Sequence, residues 1–78
     1  MAKHTLPTYA IVELLIRLSH FNPFIGDYKN HTAYNGGVIV KTTHGTINFS
    51  QELIMRQFHD PESIPDGELL ELIALLDR

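Results

Sequence analysis

Cysteine is absent from this 78-residue chain, which excludes disulfide staples and thiolate zinc sites alike. Basic residues are few and scattered, without the clustered stripe that marks a nucleic-acid binder. No uninterrupted apolar stretch has the length of a signal-peptide core or a membrane span, because Glu13 and Arg17 break the greasiest run. With no export signal, Asn30-His31-Thr32 and Asn48-Phe49-Ser50 are chance matches to the glycosylation pattern. These absences lead to the expectation of a cytoplasmic protein that does not engage a membrane. Internal repeats and low-complexity segments are also missing.

What is present is a high apolar content, 44% of residues, in a chain long enough for one domain spanning residues 1–78. A chain this size buries only roughly 60% of its unfolded surface, so it needs a dense core or a partner subunit to be stable. The run from Tyr9 to Phe21 supplies the core. On a helical wheel Glu13, Arg17 and His20 share one arc of roughly 60°, and apolar residues fill roughly 240° of the rest. A stripe that wide exceeds what a surface helix needs, so homodimerisation is expected wherever the rest of the chain fails to cover it. The helix is predicted to start near Leu6 or Pro7 with Thr5 as cap. It should stop around Phe21, before Asn22-Pro23. Glu13 and Arg17 are placed to pair at i,i+4. Ser19, inside the apolar arc, is read as bonding a carbonyl one turn back.

Asn35-Gly36 is the dipeptide best suited to a two-residue hairpin turn, so His31–Tyr34 is paired with a strand at Gly37–Thr42. A second turn at His44-Gly45 leads into Thr46–Phe49. In that register Thr42 faces Ile47, Val40 faces Phe49 and Ala33 faces Val38. One side of the sheet then carries Ala33, Val38, Val40, Ile47 and Phe49, and the other Thr32, Tyr34, Ile39, Lys41, Thr46 and Asn48. Ser50 caps a helix from Gln51 to His59 with Ile54, Met55 and Phe58 as its apolar face, and Asp60-Pro61 breaks it. A last helix, with Asp66 as cap and Glu68 near its positive end, turns Leu69, Leu72, Ile73 and Leu76 inward, flanked by Leu70 and Leu75. The fold class is α+β in the order α-β-β-β-α-α, a small antiparallel meander covered on one face by helices.

Catalytic and metal chemistry find little purchase. His4, His20, His31, His44 and His59 are 11 to 16 residues apart, without the short spacings that metal sites use. An acid–base trio could be assembled from His31, His44 and Lys41 on the sheet, as any chain with this many histidines allows, but the predicted register sends Lys41 to the face opposite His31 and the three do not converge. Glu62, Asp66, Glu68 and Glu71 lack the alternating spacing of a calcium loop. No nucleophile elbow, dinucleotide fingerprint or phosphate cradle occurs. The protein is therefore expected to be no enzyme and to need no cofactor.

Two surfaces remain as contact candidates. One is the segment holding Tyr28, Lys29, Tyr34 and Asn35, where tyrosines sit among small polar groups in the manner of rigid contact patches. The other is the C-terminal acidic block. From residue 60 on, Asp60, Glu62, Asp66, Glu68, Glu71 and Asp77 face Arg78 alone, a net charge of −5. An acidic end suits a basic partner surface. The expected function is that of a small binding protein that inhibits or regulates a larger partner, such as a phage or mobile-element inhibitor of a host defence nuclease, an anti-CRISPR. The alternative is a weak single-stranded nucleic-acid module using Tyr28, Lys29, Tyr34 and Lys41 on the exposed sheet face.

Overall fold

The structure, a computed structural model, describes the backbone of residues 6–76 and the side chains of residues 6–75. The predicted cap Thr5, together with His4, the side chain of Leu76, Asp77 and Arg78, lies outside the described residues. The elements run α1 (Thr8–Ser19), β1 (Tyr28–Tyr34), β2 (Gly37–Thr42), β3 (Gly45–Ser50), α2 (Gln51–His59), a 3₁₀ turn (Pro61–Ser63) and α3 (Asp66–Leu76). The strands form one antiparallel sheet in the order β1-β2-β3. The α+β order expected from the sequence is the one observed. No described helix is long and apolar enough to cross a membrane.

Helix α1 begins one residue later than the sequence reading places it. Pro7 stays extended at the cap position, and its carbonyl accepts the N–H groups of Ala10 and Ile11. At the other end the backbone N–H groups of Phe21 and Asn22 close on the Leu18 carbonyl before Pro23 ends the possibility of another turn. Ser19 Oγ donates to the Ile16 carbonyl at 2.7 Å, as expected. Ala10, Ile11, Leu14, Leu15 and Leu18 are buried, whereas Tyr9, Ile16 and Phe21 remain exposed. The chain thus covers most of the wide apolar arc by itself. The expected Glu13–Arg17 pair does not form directly. Gln57 of α2 stands between them, donating to Glu13 Oε1 at 3.1 Å and accepting from Arg17 at 2.8 Å.

The first hairpin has the predicted turn, with Asn35 at φ 45° and Gly36 at φ 78°, the left-handed geometry that Asn-Gly tolerates. Its register matches Ala33 to Val38. The second hairpin differs. Thr42 pairs with Gly45, Val40 with Ile47 and Val38 with Phe49, so the turn residues are Thr43 and His44, and the register lies two residues from the predicted one. A two-residue slip preserves side-chain parity, which is why Val38, Val40, Ile47 and Phe49 are all buried regardless. Ala33, placed by the register on the side shared with Val38 and Val40, is exposed because it lies at the hairpin end of edge strand β1, where helix cover, present at Tyr28, has run out.

Thr42 explains the displaced turn. Its buried Oγ1 accepts the N–H groups of His44 and Gly45, both at 3.1 Å, and its single proton is within reach of the Ile25 carbonyl at 2.9 Å and the Gly45 carbonyl at 3.0 Å. The loop before β1 passes so close that a Cβ on Gly26, already at φ 93°, would meet Thr42 Oγ1 and His44 N at 2.9 Å. Thr42→Val keeps the shape and removes the hydroxyl, and it is expected to cost about 2 kcal/mol. Urea denaturation of Thr42→Val beside Thr42→Ser checks this, the serine variant keeping most of the stability.

In α2, Ser50 caps as predicted, its hydroxyl accepting from Leu53 N at 3.0 Å. The buried stripe is Leu53, Ile54 and Gln57, with Met55 half-buried and Phe58 exposed, a rotation from the predicted Ile54, Met55 and Phe58 face. Gln57 earns its inward position through its two side-chain hydrogen bonds to α1. In α3, Leu69 and Ile73 are buried and Leu72 packs against the core, while Leu70 and Leu75 are exposed. Asp66 is the first helical residue rather than a cap. Helices and sheet share one apolar core built around α1.

Candidate partner-binding surfaces

The acidic block is wired into the fold more than its sequence implies. Arg56 of α2 reaches Glu68 Oε2 at 2.9 Å and also binds the backbone and hydroxyl oxygens of Ser63. Arg17 of α1 donates to the carbonyls of Ile64 at 2.7 Å and Pro61 at 3.3 Å, and stands 4.0 Å from Asp66. Two arginines therefore lace α1 and α2 to the segment between α2 and α3. Of the four predicted carboxylates, Asp66 and Glu68 face these arginines. Glu62, Glu71, Asp60 and Glu52 are exposed, and their carboxylates make no ion pair or hydrogen bond among the described residues.

The charge is sorted by layer. Residues 51–76 carry Glu52, Asp60, Glu62, Asp66, Glu68 and Glu71 against Arg56, whereas the three strands carry Lys29 and Lys41 and no carboxylate. One end of the molecule is acidic and the sheet is mildly basic.

The tyrosine-bearing surface is divided by the fold. Register passes from Tyr28↔Thr42 to Asn30↔Lys41, leaving Lys29 as an extra residue in a β-bulge. In a regular strand Tyr28 and Tyr34 would share a face. The bulge reverses the parity, so Tyr28 lies half-buried on the helix side, packed against the core with its hydroxyl 2.8 Å from His31 Nδ1. Tyr34 is left on the open face, 51% exposed. Lys29 and Asn35 are exposed, the latter at the hairpin tip. The pairing of two tyrosines with Lys29 and Lys41 on one open face is corrected accordingly: that face holds a single aromatic ring.

An aromatic surface escaped the sequence reading. Tyr9 and Phe58, both assigned to apolar inward faces, are 57% and 39% exposed and meet edge to face with ring centroids 5.7 Å apart. His59 extends the cluster at 4.8 Å from Phe58. Asp60 and Glu62 follow directly in the chain, and exposed Glu13 lies one turn along α1 from Tyr9. The signal available in sequence was the excess of apolar positions on α1 over what one small sheet and two short helices can cover.

The four described histidines stay apart. His20 Nδ1 lies 2.9 Å from the Ile16 carbonyl, His31 is engaged by Tyr28, His44 sits in the second turn and His59 on the aromatic cluster. His31 is on the covered side of the sheet and Lys41 on the open side, so the acid–base trio does not converge. Among the described residues no three His, Asp or Glu side chains are grouped to hold an ion.

Fold and surface together define a small α+β domain with an acidic, aromatic-bearing helical end and a sparsely charged sheet. Comparison with family models, curated proteins and solved structures finds no match for this chain.

Proposed function

We propose that this protein is a non-enzymatic binding protein that inhibits or regulates a larger protein by occupying a basic surface on it. The observation carrying this reading is the juxtaposition of exposed aromatic rings at Tyr9 and Phe58 with Asp60 and Glu62 next along the chain, exposed carboxylates whose side chains have no partner among the described residues; exposed Glu71 of α3 adds to the same net acidity. Aromatic anchors surrounded by a charged rim are the arrangement that gives a contact surface its affinity and its orientation. Carboxylates at the rim steer encounter with a basic patch and disfavour acidic competitors. A nucleic-acid groove on a defence nuclease complex is one such basic patch, and a phage or mobile-element inhibitor of the anti-CRISPR kind would present this face to it.

The double variant Glu62→Lys, Glu71→Lys tests the proposal without disturbing the arginine lacing. Immobilised wild-type protein captures the partner from host extract, and association is then timed against both forms at low and high salt. The wild-type on-rate should fall roughly tenfold on raising the salt, with the variant slow at both. Equal on-rates for the two forms, independent of salt, would dispose of the electrostatic reading. Tyr9→Ala should speed dissociation instead.

A further inference from the structure

The two edges of the sheet are treated differently. Strand β1 carries a bulge at Lys29, and that lysine is exposed; bulges and edge lysines are devices that discourage one sheet from pairing with another. Strand β3, Gly45-Thr46-Ile47-Asn48-Phe49-Ser50, has no charged residue and no proline. Its pairing with β2 is regular over all six residues.

The direction of the free hydrogen-bonding groups follows from the first hairpin. Tyr34 and Gly37 flank its two-residue turn and exchange hydrogen bonds. Strict alternation then points Val38, Val40 and Thr42 at β3, so that Ile47 and Phe49 answer them and Thr46 and Asn48 present N–H and C=O groups outward. Among the described residues neither Thr46 nor Asn48 has a backbone partner beyond the sheet.

Alongside this edge runs an apolar groove lined by Leu18, Ile47, Asn48, Phe49, Leu72 and Leu75. Ile47 and Phe49 belong to the covered face and Asn48 to the open one, which places the groove at the strand's free margin, where α3 stands off from the sheet. Leu75 is 68% exposed above it.

We infer that β3 pairs antiparallel with β3 of a second copy of this chain, joining the two meanders into one six-stranded sheet. Pairing centred near Asn48 sets Ile47 of one copy beside Phe49 of the other and keeps all helices on one side. Each copy's Leu72 and Leu75 then meet those of its mate over the combined groove. The interface is self-complementary, as a two-fold requires, and the strands bring no like charges together. A six-residue strand and one turn and a half of helix cover on the order of 600 Å² per copy, the low end of specific interfaces, the size class of weak, reversible association. This contact is made by β3 and α3 and does not use the exposed α1 residues Tyr9, Ile16 and Phe21; of the acidic face only Glu71, one turn from Leu75 on α3, borders it.

Sedimentation equilibrium from about 1 to about 200 μM, the range a small interface supports, reads it directly. Wild-type protein should pass from 8.9 kDa to twice that mass. Asn48→Pro removes an outward N–H without touching the β2 ladder, and Leu75→Lys places a charge on the groove at an exposed site; each should weaken association roughly tenfold or more. Lys29→Glu, on the opposite edge, should leave it unchanged. Amide exchange at Thr46 and Asn48 should slow as concentration rises. A wild-type chain that stays monomeric overturns the inference, including the case in which a foreign extended segment uses this edge instead. A dimer indifferent to both Asn48→Pro and Leu75→Lys overturns it as well.

Discussion

Leu14→Ala is expected to cost about 3 to 4 kcal/mol, the range for truncating a fully enclosed leucine whose surroundings cannot collapse into the gap. Leu14 is 0% exposed and lies in the middle of α1, the helix around which the core is built. A chain of 78 residues has a total stability of roughly 4 to 12 kcal/mol, so the variant loses a large fraction of it. The melting transition followed by circular dichroism should drop steeply or vanish. Ile16→Ala, two residues along the same helix, removes a side chain that is 53% exposed and should stay within about 0.5 kcal/mol of wild type. Similar losses at the two positions would mean that α1 is not packed on the face described.

Arg17→Met should lower stability by about 3 kcal/mol, although the methionine retains most of the aliphatic stem. The guanidinium, its side chain 26% exposed, donates to Gln57 Oε1 and to the Ile64 and Pro61 carbonyls. Its removal leaves the buried Gln57 amide half satisfied and frees the segment that leads into α3. Hydrogen bonds from a charged donor are worth more than neutral ones, and an orphaned buried acceptor carries a desolvation cost of its own. Urea unfolding should show a lower midpoint with an unchanged slope. Arg56→Met is the comparison: its ion pair with Glu68 is about a third exposed on both sides, so solvent screens it and the loss should be smaller. A ranking in which Arg56 matters more than Arg17 would contradict the lacing described.

These expectations show where sequence patterns carry information. Local chemistry is legible: Asn35-Gly36 could make only a tight turn, Ser50 only a cap, and Pro23 and Pro61 only an interruption. The α+β order follows from such signals together with the change of apolar period between helix and strand. Even the misplaced second turn left the buried set of β2 and β3 intact, because parity tolerates a shift of two. The acidic end was legible as charge, since composition does not depend on folding.

Long-range partners were not legible. Gln57 reads as a surface residue until α1 supplies both Glu13 and Arg17 to satisfy it. Phe58 and Tyr9 read as core until the available apolar cover is used up elsewhere. Tyr28 and Tyr34 read as neighbours until one extra residue at Lys29 turns them to opposite sides.

The sequence alone, then, determined the elements, their order and the charge of each, because turns, caps and periodicity act over a few residues. Only the tertiary structure decided which polar groups are consumed internally, which aromatic rings stay outside and which sheet edge is left open. Those outcomes depend on competition for a limited interior among residues 40 or more positions apart, such as Arg17 with Gln57 and Ile64, and no local pattern records who wins.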